Sequence, residues 1–350
     1  MHRLFQKFLA YERWIGAEPV GSGNINDTYR VDVERGGGQE RYLLQRLNHQ
    51  VFKNPEAVAR NIRQVANWLG DQNEEYPYRI ARPVAGLDGA DLQRDEAGNY
   101  WRVFTFLDQC YTPETAAGPE EAFEAAKAYG VFLRALRDFP VGQLSDTIPG
   151  FHDTDLRWTA FEKTLTDDPA GRASGVQDEI ARLYAAKPVF EEISRLKRQQ
   201  DLPLRVTHND TKAGNILLDN QTRKVVAVID WDTVMPGTVL SDFGDMVRTF
   251  APDAYEDAAP DTLGLRESVL EALQHGFEAA TGDFLALSEK ENLALGARWI
   301  IGEQALRFLT DYLAGDVYYK IRHPEHNLIR AQNQLRLLDL VSIFYEKHRR

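Results

Sequence analysis

The chain has 350 residues, about two domains at roughly 150 residues each, and carries 53 Asp and Glu against 41 Lys and Arg for a formal charge of −12. An acid excess of this size argues against broad binding to nucleic acid or anionic membranes, which needs clustered positive charge. With 43% hydrophobic and 27% charged residues and no run near the roughly 18 apolar residues of a membrane span, it reads as an ordinary soluble protein. Its one cysteine, Cys110, has no intramolecular partner, and MHRLFQKFLAYERW mixes charges and aromatics where a secretion signal holds its apolar core. A cytoplasmic protein is expected, with no nucleic-acid or membrane partner, as a monomer or weak homo-oligomer.

Taken in chain order, VGSGNINDTYRVDV reads as a strand, a Gly/Asn loop and a second strand, and GGGQE then turns the chain into a third at RYLLQRLN. A helix is expected over 54–70, with Asn54 as cap, Pro55 in the first turn, Gly70 at the end, and Val58, Ile62, Val65, Trp68 and Leu69 at helical spacing. ADLQRDEAGNYWRVFTFLD reads as a hairpin turning at Glu96–Asn99, and a hinge follows near 107–112, where Cys110 is a small hydrophobe. Beyond it the chain turns helical: 119–139, then most of 176–199, 263–280, 288–314 and 325–348. Ser288 and Glu291 are placed as a capping-box pair. Short strands LRVTH, NILLD and KVVAVID interrupt the helices.

The chemistry concentrates in HNDTKAGNILLDNQTRKVVAVIDWD, residues 208–232. Asp210 and Asn215 stand five apart between two strands and Asp230 ends the next, the H-x-D-x-x-x-x-N form of a kinase catalytic loop followed by a metal-binding Asp. Phosphoryl transfer needs one carboxylate to take a proton from the attacking hydroxyl. It also needs an amide oxygen and a second carboxylate for Mg²⁺. Lys212 is placed to reach the transferring group. Singly, each of these residues could be a turn cap; the ordered strand–loop–strand context favours the catalytic reading. Upstream, Gly21-Ser22-Gly23-Asn24-Ile25-Asn26 is an imperfect G-x-G-x-x-G between strands. That setting suits a phosphate-covering loop and excludes a Rossmann fingerprint, which a helix would follow. Asp242 of DFG comes after Asp230 has filled the metal role and reads as a brace for the catalytic loop. His323 and His326 have metal-like spacing, but with a Pro between them they read as helix-start residues.

HNDTKAGNILLD, VIDWDTVMPG and SDFGD resemble the aminoglycoside phosphotransferase and choline kinase superfamily. The likeness extends through GSGNINDTY, YLLQRLN, WRVFTFL, FHDT and RFLTDYLAGDVYY…PEHNLIR, and within the superfamily it points to the N-acetylhexosamine 1-kinases. The resemblance implies an α+β, protein-kinase-like fold in two lobes: a strand-rich, ATP-binding 1–108 and a mainly helical 109–350 with the catalytic loop and substrate site. The activity implied is ATP- and Mg²⁺-dependent phosphorylation of a sugar, most simply at the anomeric hydroxyl of an N-acetylhexosamine. Asp210 would be the base, with Lys212 beside it, and Asn215 and Asp230 the metal ligands. Gly21, Gly23, Gln45, Phe106 and Leu107 would contact the nucleotide, and Asn24, Asp210, Arg307 and Tyr318 the sugar.

Two positions depart from the wider pattern. Gln45 stands where the kinase strand lysine is expected, so Mg²⁺ and Lys212 would carry more of the charge neutralisation. Asn24 stands where a sugar-recognising His is expected. The alternative for Arg307 is a surface ion pair with Glu303 one turn back, and for Tyr318 a half-buried core aromatic. The rival activities are transfer to another sugar, an amino-alcohol or an aminoglycoside, or a catalytically silent nucleotide-binding module.

Overall fold

Val31 and Val33, then Tyr42 and Leu44, stand two apart and are buried together, and this period of two folds 27–47 into a hairpin with one apolar face in the core. The computed structural model describes residues 1–21, 25–71 and 75–348; Gly23 and Asn24 lie outside the described residues. The chain divides into two units. Unit 1 comprises Met1–Pro113, Val131–Pro149 and Gly214–Pro236, and unit 2 comprises Glu114–Gly130, Gly150–Ala213 and Gly237–Arg350.

Unit 1 opens with α1 (His2–Phe5) and an antiparallel sheet of β1 (Arg13–Pro19), β2 (Asp27–Arg35), β3 (Gly38–Leu47), β4 (Pro83–Val84), β5 (Gln93–Arg94) and β6 (Tyr100–Thr105). The strand order is β1-β2-β3-β6-β4, with β5 also on β6. The β2–β3 turn places Gly36 and Gly37 at φ 61° and 78°, the paired positive φ of a tight hairpin that explains the glycine run. The first strand lies upstream of where it is expected: it ends at Pro19, and only the Val20 amide continues the pairing, to Thr28 O at 2.9 Å. Its half-buried faces carry no clean alternation, so periodicity could not place it. α2 (Pro55–Asp71) matches its expected span, and Asn54 Oδ1 accepts the Ala57 amide at 3.1 Å. Trp68 keeps one edge polar, donating Nε1 to Ala135 O at 2.8 Å. At the expected hinge β7 (Cys110–Tyr111) pairs with β9 (Ile216–Asp219), which pairs with β10 (Val225–Val228).

Unit 2 holds most of α3 (Pro119–Ala135), then α4 (Thr154–Asp167), α5 (Gln177–Arg198), β8 (Arg205–Thr207), α6 (Val239–Phe250), α7 (Glu267–Thr281), α8 (Leu287–Glu291), α9 (Leu293–Leu313) and α10 (His326–Lys347). The sequence reading missed α4 because it buries only Thr154, Trp158 and Phe161, too thin a stripe to read among its charges. The helix expected over 288–314 is two helices, broken at Asn292. The capping box is also displaced. Glu289, not Glu291, accepts the Ala286 amide at 2.8 Å, while Ser288 donates to Asp201 O at 2.6 Å. Glu289 is drawn there by Arg205, whose Nε meets it at 2.6 Å. α6 crosses α9 closely: a Cβ on Gly244 would sit 2.4 Å from Gly296 O, and one on Gly296 2.6 Å from Leu240 O. This contact fixes α6, which braces the catalytic loop. No helix among the described residues is long and apolar enough to cross a membrane.

Candidate active site

The loop after β8 is held from beneath. Asp242, fully buried on α6, accepts the His208 amide on Oδ2 at 2.9 Å and the Asn209 amide on Oδ1 at 2.7 Å, while its backbone carbonyl takes the Thr211 hydroxyl at 2.7 Å. Burial pushes the Asp242 carboxyl up to about 7, although the two amides pull the other way. Asn209 is left-handed at φ 62°, and its Oδ1 takes the Ser241 hydroxyl at 3.1 Å. The Asp210 amide donates to His208 Nδ1 at 3.3 Å, and the Tyr129 ring stands edge-on to the His208 ring. Tyr129 also donates its hydroxyl to Lys212 O at 2.8 Å. Asp242 of DFG is thus the brace the sequence suggested. Asp210 Oδ2 and Lys212 Nζ are 2.7 Å apart, so the Asp210 carboxylate keeps a cation beside it.

In unit 1, Val228 and Ile216 are register partners, and the Ile229 amide donates to Asn215 O at 2.9 Å. This pairing brings the start of β9 and the end of β10 together, and with them Asn215 and Asp230. Asp230 has φ 62° and ψ 62°, a conformation that costs a non-glycine residue on the order of 1–2 kcal/mol. Gln45 does not stand alone: its Oε1 accepts Arg102 Nε at 2.8 Å. Gly21 takes φ 77°, the region that favours glycine. Phe106 donates its amide to Arg41 O at 3.4 Å, and Leu107 O accepts the Cys110 thiol at 2.9 Å.

Arg307 lies in a charged patch of unit 2. Its guanidinium stands 5.5 Å from the centre of the Phe151 ring and 5.7 Å from that of Tyr319, with Nη1 3.2 Å from Gln304 Oε1. The expected partner Glu303 is instead held by His152 Nδ1 at 2.8 Å. Burial alone would raise Glu303, but His152, with Arg307 and Arg157 near by, holds it below the usual range. Arg248 meets Asp245 at 2.9 Å and Glu256 at 2.6 Å, and Arg330 Nε meets Glu256 at 3.0 Å. Asp210 and Arg307 both lie close enough to act on the charge of Arg248 or be acted on by it, so the band of charge runs from Asp210 to Arg307.

Tyr318 is 62% exposed, which corrects the half-buried alternative. Its loop is pinned by Asp311, which accepts the amides of Val317, Tyr318 and Tyr319 at 2.8–3.0 Å and Asn327 Nδ2 at 2.8 Å. Sequence reasoning missed Arg157, Arg248 and Tyr319 and read Glu303 only as a surface partner of Arg307; the signal for His152 lay in FHDT. His326 opens α10 as expected, its Nδ1 accepting the Arg322 amide at 3.2 Å.

An antiparallel sheet followed by helices, with a braced His-x-Asp loop leading to an Asn and an Asp beside two paired strand ends, is the plan of the kinase-like phosphotransferases. The Phosphotransferase enzyme family (APH) matches residues 16–284, and the chain belongs to it. Similar solved structures share this fold at low identity. An aminoglycoside phosphotransferase from Alicyclobacillus acidocaldarius subsp. acidocaldarius is 17% identical, with 99% of this chain and 96% of that one covered at TM-score 0.65. A microcompartment-associated aminopropanol kinase is 16% identical over 99% and 96% at 0.64. A spectinomycin phosphotransferase, solved with ADP and spectinomycin, is 14% identical over 95% and 93% at 0.56.

Proposed function

We propose that this phosphotransferase moves the γ-phosphoryl group of ATP onto the anomeric hydroxyl of an N-acetylhexosamine, releasing ADP and the sugar 1-phosphate. The observation that carries the choice of acceptor is the mixed sign of the patch around Arg307. Arg157, Arg248, Arg307 and Arg330 are interleaved with Asp245, Glu256 and Glu303. A cationic amino-alcohol would call for carboxylates or an aromatic cage without competing guanidinium groups. A neutral polyol with an acetamide uses donors and acceptors together. Asp245 Oδ2, Glu303 Oε2, Arg157 Nε and His152 Nε2 are buried polar atoms with no partner among the described residues, a state that ordered water behind the patch would relieve.

Asp210 takes the proton of the attacking hydroxyl as its oxygen bonds to phosphorus and the bond to ADP breaks. An anomeric hydroxyl is more acidic than an ordinary alcohol, so a carboxylate base suffices. Asp242 and Tyr129 keep the loop in place, which supplies positioning rather than chemistry. Asn215 and Asp230 offer one amide and one carboxylate at neighbouring strand ends. This sparse set of hard oxygens fits magnesium, which keeps water and phosphate oxygens as its other ligands. When bound, the ion would neutralise charge between the phosphates. Gln45 is held by Arg102, and Lys212 is the cation nearest the base.

Transfer to an amino-alcohol or aminoglycoside is the second reading, favoured by the kinds of enzyme that share the fold. ADP release with Mg·ATP over N-acetylglucosamine, N-acetylgalactosamine, glucose, ethanolamine, aminopropanol and kanamycin separates the two. An N-acetylhexosamine should have the highest kcat/KM; a preference for any amine acceptor would overturn the proposal.

A further inference from the structure

Thr28, Gln45 and Arg102 stand in register across β2, β3 and β6. Gln45 Nε2 donates to Thr28 Oγ1 at 3.0 Å, and Arg102 Nε donates to Gln45 Oε1 at 2.8 Å. Arg102 Nη2 then reaches Asp232, 2.6 Å from Oδ1 and 2.8 Å from Oδ2. Asp232 Oδ2 also accepts Asn26 Nδ2 at 2.7 Å, and Asn26 Oδ1 accepts the Asn48 amide at 2.9 Å. The side chains of Arg102 and Asp232 are each 5% exposed. This run of hydrogen bonds ends in the turn 231–233, whose N-cap is Asp230. It also ties down Asn26, the last residue of the glycine-containing loop.

Two facts limit what Arg102 can do. Its charge is met by Asp232, so it adds no net charge for a phosphate. Its Nε and Nη2 are engaged and Nη1 is shut away from solvent, which leaves no nitrogen facing outward. A left-handed Asp230, in contrast, needs surroundings that over-determine it. A buried ion pair with added hydrogen bonds is such a surrounding, because its geometry is unforgiving.

We infer that Arg102 and Asp232 are positioning residues for the metal site. They hold the turn that carries Asp230, and the end of the glycine loop through Asn26, without touching the nucleotide. The inference rests on Asp230 being a magnesium ligand. Where a strand lysine would meet the phosphates, this chain has placed an internal strut: Gln45 and a neutralised arginine.

The test separates nucleotide contact from metal positioning by calorimetry. ADP is titrated into the enzyme in EDTA, and Mg²⁺ into the enzyme–ADP complex, for wild type, Asp232→Asn and the double variant Arg102→Met/Asp232→Leu. The double variant removes both charges together and leaves no unpaired buried ion, so it should fold even where the single one does not. ADP affinity in EDTA should stay within about twofold of wild type while the Mg²⁺ midpoint weakens roughly 10- to 100-fold, the usual loss when a partner behind a metal ligand is removed. An equal fall in metal-free ADP affinity would mean that Arg102 meets the nucleotide, and an unchanged Mg²⁺ midpoint in a folded variant would reduce the pair to stability alone. Either would overturn the inference. Failure of the underlying reading shows separately, as a wild-type enzyme–ADP complex that takes up no Mg²⁺.

Discussion

Replacing Asp242 with Asn tests whether α6 braces the catalytic loop. The two carboxylate oxygens accept two amides, from His208 and Asn209. An asparagine keeps one acceptor and turns its NH₂ toward the other amide, in a fully buried place. Losing a hydrogen bond there and stranding a buried amide costs about 2–3 kcal/mol. At roughly 1.4 °C per kcal/mol, the unfolding-entropy scale of a 350-residue chain, the melting temperature should fall by about 3–4 °C. The loss should depend on pH in a stated direction. Burial raises the folded carboxyl to about 7 from its ordinary 3.8, so between these pH values the folded state keeps a proton that the unfolded chain has released. The contribution of Asp242 is therefore full below about pH 4 and declines as pH rises toward 7. The gap in melting temperature between wild type and Asp242→Asn should be widest near pH 4.5 and narrow by pH 7.5. Freed of its brace, the loop misplaces Asp210, and kcat should drop roughly 10- to 100-fold. Thermal melts across that pH range and steady-state ADP release give both readings. A gap that widens with rising pH, or a kcat equal to wild type, would refute the brace.

Asp210→Asn should lower kcat by roughly 10²–10⁴-fold with ATP affinity near wild type; more than about a tenth of kcat remaining in an ADP-release assay would end its assignment as base. Asp230→Ala should abolish turnover and weaken Mg²⁺-dependent nucleotide binding by calorimetry, whereas unchanged affinity would place the metal elsewhere. Arg307→Ala should cut kcat/KM for the sugar by roughly 10- to 150-fold, the worth of about 1.5–3 kcal/mol in hydrogen bonds from a charged donor, while KM for ATP holds. A purely structural Arg307 would instead lower the melting temperature and leave the sugar kinetics intact.

The loop after β8 stood out in the sequence because its candidate residues are local: His208, Asp210, Lys212 and Asn215 fall within eight residues, and Asp230 follows the next strand but one. The brace was legible too, since Asp230 had already been assigned the metal role when DFG came into view. What could not be read is what long-range pairing creates. Arg102 and Asp232 lie far apart in sequence and meet only once β6 and the turn after β10 have folded. Glu303 could be assigned to Arg307 on helical spacing, yet His152, just before α4, claims it. For Tyr318, read as a sugar contact, the alternative was half-burial because aromatic residues are often so placed, and Asp311 instead holds its backbone where the ring is exposed. α4 escaped for the same kind of reason: its buried face is made by neighbours that sequence spacing does not show.

The central claim is that a phosphoryl group reaches an anomeric oxygen. Phosphorus NMR of the product formed from Mg·ATP and N-acetylglucosamine addresses it most directly. The account predicts one new phosphomonoester signal, coupled to the anomeric proton, that appears with ADP in equal amount and is lost on mild acid treatment as the free sugar returns. An acid-stable ester on another hydroxyl, or ATP left intact beside the sugar while an amine acceptor is phosphorylated, would contradict it.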